Sequence, residues 1–130
     1  KVSKRTSPEF QDGLQSEYDF FLYKTNTAPI PIIRNEELVL IYAEVKTQLG
    51  DAGEATKAIN RIRKAAGLTN YTGATDKNSL ITEILKQRRY SLFGEGHRWI
   101  DLRRYNLLAQ LPKDRAGDDV WDAFPIPANE

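Results

Sequence analysis

Residues 87–104 read Gln-Arg-Arg-Tyr-Ser-Leu-Phe-Gly-Glu-Gly-His-Arg-Trp-Ile-Asp-Leu-Arg-Arg, and the rest of the chain is organised around this stretch. It gathers five arginines (Arg88, Arg89, Arg98, Arg103, Arg104), two carboxylates (Glu95, Asp101) and the only histidine, His97, into one amphipathic run. Ile81, Ile84, Leu85, Arg88 and Leu92 follow helical spacing before the Gly94–Gly96 elbow in it, and Trp99, Leu102 and Asn106 roughly continue one face after that elbow. Gly94 and Gly96 tolerate left-handed backbone angles, so the spacing predicts a helix, a tight elbow and a second short helix. Glu95, Arg98, Asp101 and Arg104 stand three residues apart, a spacing that lets helix neighbours pair. Steps of three drift around the helix, so some of these groups must reach other helices. Arg98 is therefore expected to be partly buried and to support the corner. An anion-binding or catalytic corner is the competing reading, because arginine clusters also bind phosphate and carboxylate.

Outward from that corner, composition narrows the classes. The chain has 130 residues, 40% of them hydrophobic and 28% charged, which is enough apolar material for one ordinary folded domain. Its 19 basic and 18 acidic side chains nearly cancel, which argues against a nucleic-acid or anionic-membrane footprint. With no cysteine and one histidine, thiol chemistry, zinc-thiolate sites and multi-histidine metal sites are excluded within this stretch. No cofactor and no metal is expected. No apolar run is long enough to span a bilayer. The absence of methionine, and a start at Lys1 with no leader, suggest a processed product or a domain cut from a longer protein.

Helix periodicity predicts four helices, near residues 35–49, 52–66, 79–93 and 97–107, with almost no sheet. In the first, Leu38, Ile41, Tyr42, Val45 and Leu49 mark the expected buried face. Asp51 and Glu54 form a capping-box pattern for the second, whose expected buried residues are Ala55, Ala58, Ile59, Ile62 and Ala66. Leu38, Ile41, Tyr42, Val45, Ile59, Ile62, Ile84, Leu85, Leu92, Trp99 and Leu102 are expected to share one core. Residues 1–31 read as an irregular lead-in. Its aromatic cluster Tyr18–Tyr23 suggests a short strand or an extended segment on the core, and Pro29 and Pro31 force extended backbone. Residues 32–109 read as the helical core, and 110–130 as a C-terminal loop with an extended Phe124–Pro127. The fold class is thus mainly α: antiparallel helical hairpins, similar to tetratricopeptide units, with extended proline-containing segments and loops, in a single domain over 1–130.

Four blocks together carry a resemblance. Arg34 precedes Glu37-Leu-Val-Leu-Ile-Tyr-Ala-Glu44; Ala55 to Asn60 is followed by Arg63 and Ala66-Gly67; the Arg88–Arg104 run is the third; Pro125-Ile-Pro-x-x-Glu130 is the fourth. In this order they resemble the C-terminal part of the SusD/RagB family of outer-membrane nutrient-binding lipoproteins. The resemblance implies a non-enzymatic part of a cell-surface glycan or nutrient uptake system, lipid-anchored when complete, partnered by a TonB-dependent SusC-like transporter and an oligosaccharide. Nucleic acid is not an expected partner, and membrane contact is expected only through an N-terminal lipid anchor. It further implies that this segment is mainly scaffold, with a structural ion-pair network of Arg34, Glu44, Arg63, Arg88, Glu95, Arg98, Asp101 and Arg104. Where the family usually carries acidic residues this chain has Gln87 and Ser91, so the network is expected to be rewired there. Tyr18, Tyr71 and Trp121 are the candidate sugar-contacting aromatics, with core packing as the alternative.

The other function classes read less well. A helical-repeat adaptor binding a peptide in a groove fits the predicted hairpin. A carboxylate-pair glycosidase would use Glu95 and Asp101, but Arg98 between them reads as charge neutralisation, which removes a usable general acid.

Overall fold

The computed structural model describes residues 1–124 and 126. Two strands, β1 (Val2–Gln11) and β2 (Leu14–Phe20), precede four helices: α1 (Asn35–Gln48), α2 (Ala52–Ala65), α3 (Lys77–Ser91) and α4 (His97–Arg104). A short 3-10 turn follows at Leu108–Gln110. The chain divides into two compact units. One is Pro29–Arg98; the other joins Lys1–Ala28 to the residues from Trp99 onward.

All four expected helices are present. Within the Pro29–Arg98 unit, α1 packs on α2 and on α3, and α2 packs on α3. Leu40, Ala55, Ile59 and Ile84 are fully buried there, with Ile62, Leu80, Ile81, Leu85 and Leu92 nearly so. The helix starts follow from their caps. Asp51 accepts from the Glu54 amide at 3.1 Å, as the capping-box pattern predicts. Glu54 leaves the box half made, because its carboxylate takes Lys57 at 2.6 Å instead. Asp76 caps α3 by accepting from the Asn78 and Ser79 amides, which starts that helix two residues before the expected Ser79.

Helix α4 is shorter than expected, and Asn106 is the reason. Its backbone is left-handed (φ 55°), its amide donates to Arg103 and the Leu107 amide donates to Leu102. These two bonds are a Schellman closure, which ends the helix a turn early. The elbow before α4 is as expected, with Gly94 and Gly96 at φ 79° and 82°.

Two expectations fail. The first is the near-absence of sheet and the irregular lead-in, since residues 2–20 form an antiparallel hairpin. Asp12 and Gly13 both have positive φ (52° and 80°), as a two-residue turn of matching twist requires. The register slips between Lys4 and Glu9, where Pro8 removes a ladder donor. Arg5 pairs with Asp19 across the ladder and with Glu9 along its own strand. Tyr18, Phe20, Phe21 and Tyr23 are all exposed, so this cluster is not core.

The second failure is the phase of α1. Leu38, Ile41, Tyr42, Val45 and Leu49 are exposed, while Leu40, Ala43 and Thr47 are buried. Apolar residues occupy both faces of α1, so the period alone fits two phases about half a turn apart. Packing takes the face with small residues, Ala43 and Thr47, which let a neighbouring backbone approach. Burying Thr47 leaves no orphan hydroxyl, because it donates to the Ala43 carbonyl at 2.9 Å. Ala66 is likewise exposed, lying past the last turn of α2. The expected extended Phe124–Pro127 and the block Pro125-Ile-Pro-x-x-Glu130 lie outside the described residues except for Phe124 and Ile126, both exposed.

Candidate functional site

The charged corner is built from Arg34, the residue that enters α1. One guanidinium nitrogen donates to the Ser91 carbonyl at the end of α3 (3.1 Å) and to Glu95 in the elbow (2.6 Å). The other donates to Glu36 in the first turn of α1 (2.7 Å). Arg34 thus ties the start of α1 to the end of α3 and fills a carbonyl that the helix leaves open. Burial works against its charge, but the bonds to Glu95 and Glu36 outweigh that and hold the guanidinium above its ordinary range. His97 lies half-buried with Nδ1 3.9 Å from Glu37, beyond hydrogen-bond range.

A second cluster joins α2 to α3. Arg63 pairs with Glu83, and its Nε donates to the Thr69 carbonyl at 2.8 Å. Gln87, one turn on from Glu83, donates to the same carboxylate oxygen at 2.8 Å. An amide therefore does here what an acidic residue would not, adding a donor to a buried carboxylate rather than a second negative charge. The loop after α2 is held by Asn60, which accepts from the Tyr71 amide at 2.7 Å.

Of the eight expected network residues, Arg34 and Glu95 come together directly. Arg63 takes a partner outside that set. Asp101, buried, accepts from Arg104 at 3.1 Å in the other unit. Arg88 is buried, Glu44 and Arg98 are half-buried, and all three are partnered. Sequence reasoning missed Glu36, Asn60 and Glu83, and marked Gln87 as a rewired position without its partner. For Glu83 and Gln87 a signal existed: both fall within the stripe of Leu80, Ile84 and Arg88, where a carboxylate needs a partner.

The three aromatic candidates differ. Tyr71 is half-buried; its ring covers Gly73 and its hydroxyl donates to the Ala74 carbonyl at 2.9 Å, so it builds its own loop. Burial raises that hydroxyl above its ordinary pKa. Tyr18 lies exposed on β2. Trp121 is exposed, and its carbonyl accepts from the Trp99 indole at 2.8 Å. Trp99 in turn lies against Phe124 (centroids 5.3 Å apart) and under the Arg103 guanidinium (5.3 Å). Among the described residues no group of three His, Cys, Asp or Glu side chains converges as a metal site needs. None of the helices among them is long and apolar enough to cross a membrane.

The two aspartate caps give a pH test. The Glu54 amide, with Lys46, holds the Asp51 carboxyl below its ordinary value of 3.8; Ser79, with the Asn78 amide, does the same for Asp76. A depressed folded pKa gives stability that is complete above the unfolded value and lost as pH falls through the folded one. Urea midpoints should therefore hold from about pH 6 to 4 and decline below that. Asp51→Asn with Asp76→Asn keeps the caps but not the titration, and should flatten that decline. An equally steep acid limb in the double variant would assign it to other carboxylates.

SusD-like protein P38 of Formosa agariphila is 36% identical over 103 residues, covering 68% of this chain but only 20% of that protein. No solved structure gives a significant match. The sequence profile of the SusD family matches residues 20–126, taking in all four helices, the Arg34–Glu95 tie and the Arg63–Glu83 pair; the chain belongs to the SusD family.

Proposed function

We propose that this chain is part of a non-enzymatic, surface-exposed protein that binds a glycan or similar nutrient and hands it to a TonB-dependent outer-membrane transporter. The observation that carries the reading is the family match across residues 20–126. In the complete protein a lipid anchor holds it to the outer membrane. The segment here acts mainly as scaffold, its α1–α2 hairpin serving as a tetratricopeptide-like unit. Two features support the scaffold role. The guanidinium groups of Arg34 and Arg63 close helices against each other, and the Glu95 carboxylate is engaged by Arg34 at 2.6 Å.

Titration of the full-length protein with an oligosaccharide panel tests this, with co-purification of the transporter as a second readout. Saturable binding without release of shorter sugars is expected. Hydrolysis, or no binding by any sugar while the transporter co-purifies, would sink the glycan reading. Tyr18→Ala and Trp121→Ala decide whether this segment touches the ligand. Affinities within about twofold of the parent keep it a scaffold, whereas a tenfold loss, about 1.4 kcal/mol, moves the site here. A second reading, a helical adaptor for a peptide, is favoured by the exposed apolar face of α1. Peptide binding without glycan binding would select it.

A further inference from the structure

The unit that includes the residues from Trp99 onward holds an aromatic corner that the packing of the helices does not use. Trp99, half-buried, donates its indole N–H to the Trp121 carbonyl at 2.8 Å, which fixes the backbone of the loop carrying Trp121 and Phe124. The two rings held in this way stay largely open: Trp121 is 59% exposed and Phe124 78%. Arg103, one turn along α4 from Trp99, lays its guanidinium over the same indole at 5.3 Å. Arg34, Arg63, Arg104 and Arg115 each hold a carboxylate, whereas Arg103 holds none among the described residues. The acidic side chains of the loop do not serve it. Asp118 takes Arg115, Asp119 takes Lys113, and Asp122 makes no ion pair among the described residues.

Stacking on an indole holds the guanidinium plane and leaves its N–H edge open, a planar fork that matches a carboxylate or a sulfate. Because the side chain is already positioned, it loses less rotamer freedom on binding than a loose arginine does. Open aromatic faces beside the fork suit the apolar C–H side of a ligand that also carries polar groups. A bare anion would leave the rings unused, and a neutral sugar would leave the fork unused. A pyranose ring with an anionic substituent uses both. We propose that Arg103, Trp121 and Phe124 form a subsite for one acidic sugar unit, a uronic acid or a sulfate ester, with Trp99 as the positioning residue behind them. This rests on the glycan-binding reading and adds to it a preference for charge at one unit of the glycan, while the helical unit Pro29–Arg98 remains scaffold.

The test uses the full-length protein with Ala123→Cys, exposed between Trp121 and Phe124, as its sole accessible thiol, carrying a trifluoromethyl label read by fluorine NMR. Glucuronate and sulfated glucose, titrated at constant ionic strength, should shift the label saturably, with a Kd of about 1–30 mM for a single sugar ring. The one that saturates at the lower concentration names the anion. Glucose, acetate and inorganic sulfate should give no saturable shift over the same range. Arg103→Gln should weaken the acidic sugar by about tenfold or more, Arg103→Lys by less because it keeps the charge without the fork, and Trp121→Ala by about tenfold. Arg103 and Trp121 are exposed, so these variants should keep the parent's urea midpoint. A label silent to both acidic sugars overturns the proposal, as does an unchanged Kd in Arg103→Gln. A response to acetate equal to that to glucuronate would mean a simple anion site and overturn the sugar. Calorimetry with the oligosaccharide panel separates this from the wider reading. A protein that binds the panel with a silent label loses the subsite alone, and one that does neither loses both.

Discussion

Arg63→Ala is expected to destabilise the protein by about 3–5 kcal/mol, the range for removing one partner of a buried ion pair. Glu83 is 7% exposed, and without Arg63 its carboxylate keeps, among the described residues, only the Gln87 amide. The Thr69 carbonyl loses its donor in the same step, which loosens the loop after α2. The cost comes from the stranded charge more than from the lost bond, and a double variant shows which. Arg63→Met with Glu83→Leu removes both charges at similar volume, and such swaps are often close to neutral. Urea unfolding of the two proteins should thus give a large loss for the single change and a small one for the pair. A single-variant loss below about 1 kcal/mol would mean that water reaches Glu83 and solvates it. Equal losses in both proteins would assign the cost to packing of the arginine stem.

The same pair shows where sequence reading reaches and where it stops. Helix ends were legible because local chemistry sets them: Asp51 caps α2, and the elbow glycines take the backbone angles that their position demands. The hairpin was also written locally, in Asp12-Gly13 between two strand-like runs, but the polar strands hid it. Lys4, Arg5, Glu9 and Asp19 give no apolar alternation to read, and the ladder is held partly by charge pairs. The early end of α4 rests on one residue, Asn106, whose left-handed turn the apolar spacing through Leu107 and Leu108 masks. Arg34 was legible as a network member, yet its partners were only half so. Glu95 is 61 positions away, and no local rule says that the residue before one helix meets the elbow after another. Arg63 and Glu83 illustrate the same gap from the other side. A carboxylate in an apolar stripe announces that it needs a partner without saying which.

The phase of α1 is the sharpest of these ambiguities, and one substitution settles it. Leu40→Ala should cost about 2–5 kcal/mol, the usual range for emptying a packed leucine site. Leu40 is fully buried on a helix that packs on both α2 and α3, so the surrounding side chains have little freedom to collapse into the space. Its loss therefore includes both the transfer of the removed carbons and the cavity they leave. Leu49→Ala is the matched control. It removes the same atoms from the end of the same helix at a residue 74% exposed, and should stay within about 0.5 kcal/mol. Leucine and alanine are both good helix formers, so intrinsic propensity does not blur the comparison. Chemical denaturation of the two variants reads the difference as a shift in midpoint at constant slope. If Leu49→Ala were the costly change and Leu40→Ala the mild one, α1 would be turned by about half a revolution. Its Leu38–Val45 face would then be the core, and the exposed apolar face of α1 would vanish.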